Sequence, residues 1–285
     1  MSIGTIDLEA KFGKIVWWLI KEIMNKLRMH TFVVCAYGES PYLGDCIRSL
    51  LAQTVESKII ISTSTPNRYI ESIADQYEVE LAINAGNPGI AHDWNCAMSY
   101  CGSGFVTIAH QDDVYEPEYT ESDLMHLFSA ADPLIYFCDY GEIRENEKKK
   151  KSGLLDIKRL MLSPYRLKGF SSFRFVKRLP LSLGNPICCP SVTYVVDNLA
   201  LPLFREGFRS NLDWDAWERF SRLDGSFVYD SHVRMYHRVH DGSETSACIA
   251  DNARTLEDLE MLKRFWPKPI AKMINRVYSG AQRFN

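Results

Sequence analysis

The sequence lacks a long hydrophobic run, an excess of basic residues and cysteine pairs at metal-binding spacing. No stretch approaches the roughly 18 uninterrupted apolar residues of a membrane-spanning helix; the longest early run, Ile15–Ile20, is bracketed by Lys14 and Lys21. The net charge of −3 excludes the global basic field typical of nucleic-acid-binding domains. Eight cysteines are scattered without a recognisable signal peptide, so we expect reduced thiols in a cytoplasm rather than disulfides or structural zinc.

Residues 1–29 form an amphipathic N-terminal segment. Its apolar residues follow helical spacing, whereas its lysines lie largely on other faces. The apolar positions are Phe12, Ile15, Val16, Leu19, Ile23 and Leu27. Such a helix could lie on a membrane surface, or it could pack on its own domain or on a partner subunit.

From about residue 30 the chain alternates short apolar strands with amphipathic helices, which predicts an α/β fold with a mostly parallel mixed sheet covered by helices. The strands predicted in the first half are Phe32–Ala36, Lys58–Ile61, Val79–Asn84, Phe105–Ala109 and Leu134–Cys138. The helices predicted there are Tyr42–Gln53, Tyr69–Tyr77, Ile90–Tyr100 and Glu118–Ala130. Later, we expect strand character at Asn185–Val196, Phe227–Tyr229 and Val233–Tyr236, and an aromatic helix within Phe208–Phe220.

The composition changes over residues 141–180, which we interpret as a variable basic insert. Glu145–Gly153 is highly charged and predicts a solvated loop. Lys158–Arg178 interleaves cations with leucine and phenylalanine. This stretch could touch an anionic membrane surface or an anionic lipid-linked substrate, or it could be a helical insert with packed apolar residues and exposed cations. Residues 247–285 form a helical, amphipathic C-terminal tail.

Two adjacent carboxylates, Asp112 and Asp113, follow the buried strand Phe105–Ala109. Charged groups are costly inside a fold but are tolerated at the carboxyl ends of strands, where open α/β sheets bind ligands. Carboxylate oxygens there suit a hard divalent cation that could in turn hold phosphates. A solvated acidic turn is the alternative.

Several motifs together resemble the inverting family 2 glycosyltransferases, whose catalytic domain has the nucleotide-binding, Rossmann-like GT-A fold. The resemblance runs from about Phe32 to Ser246, which implies a GT-A domain over residues 30–246, and is closest to bacterial members that build capsules and other surface polysaccharides. The matching stretches are Ala36–Glu39, Ser49–Thr54, Gly89–Asn95, His110–Asp113, Leu212–Trp217 and Tyr236–Ser243.

The resemblance implies residues for the nucleotide sugar. Tyr37 and Glu39 would contact base and ribose, and the hydroxyl of Thr63 would stand near the base, where the family usually has an aspartate. Asn95 matches a family asparagine, while Asp93 could bind the donor sugar or complement the helix dipole. Three further positions carry expected roles: His110 replaces the aspartate that addresses the ribose, Asp113 is the supporting acid, and Arg238 would offset phosphate charge.

The resemblance also implies a metal site and a general base. Asp112 would ligate Mn²⁺ or Mg²⁺, with His240 completing the metal or diphosphate site. Asp213 would deprotonate the acceptor hydroxyl, with Asp215 as the competing candidate. A UDP-sugar is the favoured donor, with GDP and dTDP open.

The sequence therefore predicts a glycosyltransferase acting on a saccharide or lipid-linked saccharide, cytoplasmic or peripheral on the inner face of the plasma membrane. Nucleic acid is not expected as a partner. One rival is a catalytically silent, glycosyltransferase-like subunit that binds a partner or membrane. The other is a nucleotidyltransferase, disfavoured because Ala36–Pro41 has one glycine and no cation.

Overall fold

A computed structural model describes residues 29–167, 169–240 and 253–282. These ranges contain a nine-stranded sheet. Its strands are β1 (His30–Cys35), β2 (Lys58–Thr63), β3 (Glu80–Ile83), β4 (Phe105–His110), β5 (Val114–Tyr115), β6 (Pro133–Arg144), β7 (Glu147–Lys149), β8 (Val192–Val195) and β9 (Ser226–Arg238). The N-terminal segment predicted over residues 1–29 lies, except for its last residue, outside the described residues.

The helices lie between and after the strands. They are α1 (Leu43–Leu51), α2 (Arg68–Tyr77), α3 (Ile90–Ser99), α4 (Tyr119–Ser129), α5 (Gly153–Leu162), α6 (Arg174–Leu181), α7 (Leu212–Phe220), α8 (Ala253–Leu262) and α9 (Lys268–Gln282). Short 3₁₀ turns occupy Ser163–Arg166, Cys189–Ser191 and Val196–Asn198. Over the described ranges, no helix combines the length and apolarity needed to cross a membrane.

The strand order is β3-β2-β1-β4-β8-β6-β9-β5, and β7 pairs with β6. Strands β1 to β4 pair in parallel, as the alternating pattern predicts. Beyond β4 the sheet is mixed, because β8 runs antiparallel to both β4 and β6, whereas β6 and β9 are parallel. The predicted class, an α/β fold with a mixed sheet covered by helices, is confirmed.

β1 shows why both faces of the sheet are covered. Val33 points into one core cluster, and Phe32 and Val34 point into another; all three are fully buried. The cluster around Phe32 includes apolar residues of α1, α2 and α4. The cluster around Val33 includes residues of α3, α7, α8 and α9, among them Trp214 and Trp217. A strand buried on both faces has a continuous run of apolar residues, and this run is the feature from which the sequence predicts β1.

The charged stretch Glu145–Gly153 is not wholly a loop, contrary to the expectation. β6 runs on through Arg144, and β7 pairs back on it as a hairpin. Glu145 and Asn146 form the tight turn with φ of 50° and 65°, a conformation that asparagine tolerates well and that suits two-residue hairpins. The charged side chains remain exposed on an edge strand, where they discourage pairing with other chains.

Three later strand predictions were wrong in extent. The separate strands expected at Phe227–Tyr229 and Val233–Tyr236 are one strand, β9, interrupted by a bulge where the pairing with β6 shifts between Cys138 and Asp139. In Asn185–Val196, only β8 is a strand, because Pro190 sits in a 3₁₀ turn. A proline lacks the N–H that a central strand must donate.

The basic insert is helical from Gly153 onwards, in α5 and α6, but its burial pattern differs from the expected one. Phe170, Phe173 and Phe175 are exposed, whereas Lys177 is completely buried. The Lys177 ammonium donates hydrogen bonds to the carbonyls of Leu223 and Gly225, 2.6 and 2.7 Å away. Hydrogen bonds to carbonyls are what makes a buried cation tolerable.

Candidate functional site

The carboxyl ends of β1 and β4 meet at one edge of the sheet, as parallel pairing requires. There the Gln111 side chain clasps the backbone of Tyr37: its Oε1 accepts from the Tyr37 N–H, and its Nε2 donates to the Tyr37 carbonyl, each at 3.0 Å. This leaves the Tyr37 ring 70% exposed, and Glu39 is also exposed. Both expected nucleotide residues therefore face solvent at this edge, and Gln111 holds the loop that carries Tyr37.

The end of β2 contributes a second loop to this edge. The hydroxyl of Thr63 is buried and accepts from the N–H of Thr65 at 3.0 Å. The carboxylate of Asp93, on the first turn of α3, accepts hydrogen bonds from the Ser64 hydroxyl and, at 2.9 Å, from Asn84 Nδ2. Asp93 thus ties α3 to the loops after β2 and β3, in addition to complementing the helix dipole.

Asn95 has a structural partner. Its Nδ2 donates to the Phe204 carbonyl at 2.7 Å, and its Oδ1 accepts from the Phe204 N–H at 3.0 Å. These two hydrogen bonds resemble the pair that neighbouring strands exchange. They leave the side chain committed to holding the segment before α7, so a direct contact between Asn95 and the donor is not part of this arrangement.

His110, Asp112 and Asp113 form a cluster whose nearest ligand atoms all lie within 4.8 Å of one another. His240 extends it, since its Nε2 lies 2.9 Å from Oδ2 of Asp112. The His110 ring stacks on Trp94, with centroids 5.6 Å apart. The two expected metal residues, Asp112 and His240, are thus brought together from positions far apart in sequence.

Asp113 is fully buried beneath this cluster. Its Oδ1 accepts from the N–H of Arg238 and from Nδ1 of His237, both at 2.9 Å. Burial lowers the pKa of His237, but the carboxylate of Asp113 outweighs that effect and raises it to about 9. Burial raises the pKa of Asp112, but the imidazoles of His237 and His110 and the hydrogen bond from His240 bring it below its usual value. The lowered pKa keeps the Asp112 carboxylate ionised and therefore available as a metal ligand.

The donor set fits a divalent cation. Oδ2 of Asp113 and Nε2 of His110 are buried yet have no hydrogen-bond partner among the described residues. Buried polar atoms are normally paired, so these two orphaned atoms beside Asp112 leave unfilled coordinating or hydrogen-bonding capacity. Carboxylate oxygens with an imidazole suit Mn²⁺, and carboxylates alone suit Mg²⁺.

Arg238 stabilises the loop that carries Asp112. Its Nε donates to the backbone carbonyl of Asp112 at 3.0 Å, and its guanidinium lies 4.2 Å from the centre of the Tyr42 ring. Only 6% of the residue is exposed. It also lines an open cleft of about 470 Å³ between Asp45 and Asn146. The guanidinium thus offers positive charge beside Asp112 while fixing its backbone.

Asp213 stands at the start of α7 and is partly exposed. Its Oδ2 accepts from Asn185 Nδ2, and its Oδ1 from the N–H of Trp214, each at 2.7 Å. Burial raises the pKa of this carboxyl above its usual value, and the two hydrogen bonds offset only part of that effect. An oriented carboxylate with a raised pKa has the properties that a general base needs.

The carboxylate of Asp215, the competing candidate for the general base, is engaged in two ion pairs. It is 1% exposed, with Arg219 Nε 2.9 Å from its Oδ2 and Arg264 Nη1 2.6 Å from its Oδ1. The first ion pair lies within α7, and the second joins α7 to the segment after α8. Asp215 therefore acts as a structural anchor.

Asp213 and Asp113 both lie close enough to Cys188 to influence its thiol. Burial, then Asp113 and also Asp213 raise the pKa of this thiol, whereas Lys158 lowers it. Asn185 and Gln111, which orient the two regions, could not be identified as site residues from the sequence. Neither carries a motif, because each acts on a partner distant in sequence.

Comparison with known proteins is consistent with this geometry. The family model for glycosyl transferase family 2 matches residues 31–192, more than half of the chain. A comparison with curated protein sequences found no match.

Solved structures give the fold. A Pyrobaculum calidifontis mannosyltransferase, in complex with GDP-Man and Mn²⁺, superposes with a TM-score of 0.58 at 14% identity over 95% of this chain and 78% of that one. S. aureus TarS 1–349 with UDP-GlcNAc gives 0.53 at 16% identity over 86% and 70%. Glucosyl-3-phosphoglycerate synthase from Mycobacterium tuberculosis, with phosphoglyceric acid, gives 0.56 at 13% identity over 86% and 82%. From its family match and its GT-A fold, the chain belongs to glycosyl transferase family 2 and is a glycosyltransferase that uses a nucleotide-sugar donor.

Proposed function

We propose that this enzyme transfers a sugar, with inversion, from a nucleotide-sugar donor to a saccharide or lipid-linked saccharide acceptor in the synthesis of a surface polysaccharide. The observation that carries the proposal is the placement of Asp213. It is a partly exposed carboxylate, oriented by Asn185 and with a raised pKa, and both it and Asp113, the neighbour of Asp112, lie close enough to Cys188 to influence its thiol. Inverting transfer needs one such base and a bound diphosphate.

The donor would occupy the edge where β1, β2 and β4 end. Tyr37 would lie against the base and Glu39 near the ribose, with the loop after Thr63 and the ring of His110 on either side. A UDP-sugar is the favoured donor, although the hydroxyls of this loop carry no carboxylate preference for uracil. The solved relatives hold different nucleotides, UDP-GlcNAc in TarS and GDP-Man in the mannosyltransferase.

Asp112 and His240 would hold a divalent cation, Mn²⁺ or Mg²⁺, supported by Asp113. When bound, the cation would offset charge on the leaving diphosphate. Arg238 would add positive charge on the same side while it keeps the Asp112 loop in place. The orphaned Oδ2 of Asp113 supports this assignment.

Asp213 would take the proton of the acceptor hydroxyl as that oxygen attacks the anomeric carbon. The hydrogen bonds from Asn185 and Trp214 each use one carboxylate oxygen, and each oxygen keeps a second lone pair for the acceptor. Bond formation on the side opposite the leaving diphosphate inverts the anomeric centre in a single displacement. No covalent sugar–enzyme intermediate is involved.

The basic insert over residues 141–180 would shape the choice of acceptor. It follows β6, whose Tyr140 hydroxyl accepts from Lys158 at 2.7 Å, and Lys158 lies close enough to influence the pKa of Asp213. An acceptor that reaches Asp213 would therefore pass this cationic region. A lipid-linked saccharide at the inner face of the plasma membrane fits these requirements.

A thermal-shift panel tests this proposal. UDP, GDP, dTDP and CMP are added with and without Mn²⁺ to the wild type, to Asp112→Ala and to the control Asp75→Ala, which removes an exposed carboxylate on α2. A ligand that binds the folded state raises its melting temperature. We expect one nucleoside diphosphate to do so only with Mn²⁺, in wild type and control alone. Absence of any shift would favour the silent, partner-binding alternative, to which the replacement of family aspartates by His110 and Thr63 lends weight.

A further inference from the structure

Two segments of the chain contain no acidic residue at all. Residues 157–196 carry seven Lys and Arg residues, and residues 261–285 carry six. Together they hold 13 of the 33 cations of the chain and none of its 36 Asp and Glu residues. The whole protein has a net charge of −3, so its cations are concentrated in these two stretches of sequence. At least five of the 13 pair with acidic side chains from outside the segments, namely Arg159, Arg174, Arg178, Lys263 and Arg264.

The two segments touch each other in the fold. Trp266 Nε1 donates to the Ser182 carbonyl at 2.7 Å, and the Arg178 guanidinium lies 4.7 Å from the centre of the Phe265 ring. Tyr278 of α9 packs so closely on Gly184 that a Cβ there would lie 2.5 Å from its ring. The end of α6 and the residues after it therefore pack against the second segment, so the two basic segments adjoin each other.

This region also exposes large apolar side chains. The loop before α6 and its first turn expose four of them: Leu167, Phe170, Phe173 and Phe175, between 52% and 72%. The rings of Phe170 and Phe173 lie 5.5 Å apart. On α9, Met273 and Val277 are 63% and 72% exposed and one helical turn apart. Exposed cations lie next to both groups, namely Arg166, Arg174, Lys268 and Lys272.

We propose that residues 166–167 and 169–175 and α9 together form a face that docks on an anionic lipid surface, with its aromatic and aliphatic side chains entering the headgroup region. Apolar residues flanked by Lys and Arg are the features that place an amphipathic element at a membrane interface, and acid-free basic segments are attracted to anionic leaflets. The chain's own N-terminal segment is a poor occupant, because it too is rich in lysine. A second copy would bring together two like-charged faces.

The docking surface adds to the proposed function, and its role in sugar transfer rests on that function. It adjoins the general base, since the Tyr278 hydroxyl accepts from the N–H of Asn185 at 3.2 Å, and Asn185 holds Asp213. A lipid-linked acceptor would thus meet Asp213 from the membrane side. Lipid binding itself needs neither donor nor acceptor, so it can be measured separately.

Vesicle flotation tests the docking. The full chain is mixed with vesicles of phosphatidylcholine alone, or of phosphatidylcholine and phosphatidylglycerol at 7:3, at low and at high salt. We expect flotation with the anionic vesicles only, and its loss at high salt as the charges are screened. Phe173→Ser/Phe175→Ser should weaken partitioning by about tenfold or more, given the apolar area withdrawn. Lys268→Glu/Lys272→Glu should weaken it similarly.

Two controls substitute exposed residues elsewhere: Met125→Ser on α4 and Arg68→Glu at the start of α2. Both should float like the wild type. Equal flotation with neutral vesicles, or unchanged flotation of both double variants, would overturn the proposal. So would a wild-type dimer that Phe173→Ser/Phe175→Ser converts to a monomer, since the face would then join two copies. Nucleotide-dependent thermal shifts without flotation would overturn the docking alone, whereas flotation without such shifts would count against the proposed function alone.

Discussion

The Nε2 atom of His240 lies 2.9 Å from Oδ2 of Asp112, although 128 residues separate them in sequence. The contact joins the segment after β9 to the loop after β4. His240 is therefore placed either to ligate a cation together with Asp112 or to orient that carboxylate. Both possibilities make the metal affinity of the site depend on His240.

We expect His240→Ala to weaken Mn²⁺-dependent nucleotide binding by roughly ten- to a hundredfold, the usual effect of losing a group that ligates or orients at a metal site. Titration calorimetry with the nucleoside diphosphate found in the panel, at several Mn²⁺ concentrations, measures this. His232→Ala is the matched control, because this histidine is 73% exposed and lies on the β9 bulge. Unchanged binding by His240→Ala would remove His240 from the metal site.

Asp213→Asn should slow sugar transfer by roughly 10²- to 10⁴-fold, the usual contribution of a general base. The amide can keep the hydrogen bond from Trp214 but cannot accept the acceptor proton. Nucleotide binding should be unchanged, because Asp213 holds no part of the donor in this arrangement. Release of nucleoside diphosphate in the presence of a working acceptor measures the rate. A variant that retains full activity would exclude Asp213 as the base.

Asp215→Ala, by contrast, should act on stability. It leaves Arg219 and Arg264 without the carboxylate that they share, and breaking a buried ion pair costs about 3–5 kcal/mol of unfolding free energy. Urea unfolding measures the loss. If this variant unfolds like the wild type but transfers no sugar, the roles of the two aspartates are reversed.

Asp230 should make stability depend on pH in the acid range. Burial opposes its ionisation, but the hydrogen bonds from Arg234, Ser122 and His232 lower its pKa to about 2, below the value near 3.8–3.9 of an unfolded chain. Its stabilising contribution is therefore complete above the unfolded pKa and is lost as the pH falls through 3.8 towards 2. At pH 7 it amounts to roughly 2 kcal/mol.

Urea unfolding of the wild type and Asp230→Asn at pH 7, 4.5 and 3 tests this. The variant should be less stable at pH 7, and the difference should shrink at pH 3. A difference independent of pH would show that the carboxylate makes no charge-dependent contribution.

Gly184→Ala should disturb the base through α9. Its added methyl group would collide with the Tyr278 ring, displacing the hydroxyl that accepts from the Asn185 N–H. We expect a lower melting temperature and a reduced transfer rate, with nucleotide binding preserved. Tyr278→Phe removes only the hydroxyl and should show a smaller effect on stability. Loss of nucleotide binding in either variant would contradict this view of α9.

Local patterns were sufficient for the first half of the fold. β1 and β4 are apolar runs buried on both faces, and the acids after β4 are costly anywhere except at the end of a strand, so both strands and the candidate metal loop could be predicted. The burial pattern of the basic insert could not be predicted, because it depends on groups that are distant in sequence. Lys177 is buried only because the carbonyls of Leu223 and Gly225 are close enough to receive its ammonium.

The residues that orient the site are also those that sequence could not reveal. Gln111 acts on Tyr37 across 74 positions, and Asn185 acts on Asp213 across 28. His237 reaches Asp113 across 124 positions. Each pairing exists only after the sheet has formed, and an isolated glutamine, asparagine or histidine has no spacing that would identify it.

The contacts between the loop after β4 and the end of β9 affect the folding kinetics. Contacts between residues so far apart in sequence are costly to close early, so the nucleotide site is expected to form late, after the transition state for folding. A ligand that binds only the completed site then slows unfolding and leaves the folding rate nearly unchanged. Inside a cell, the donor would extend the lifetime of finished enzyme molecules without helping new ones to fold.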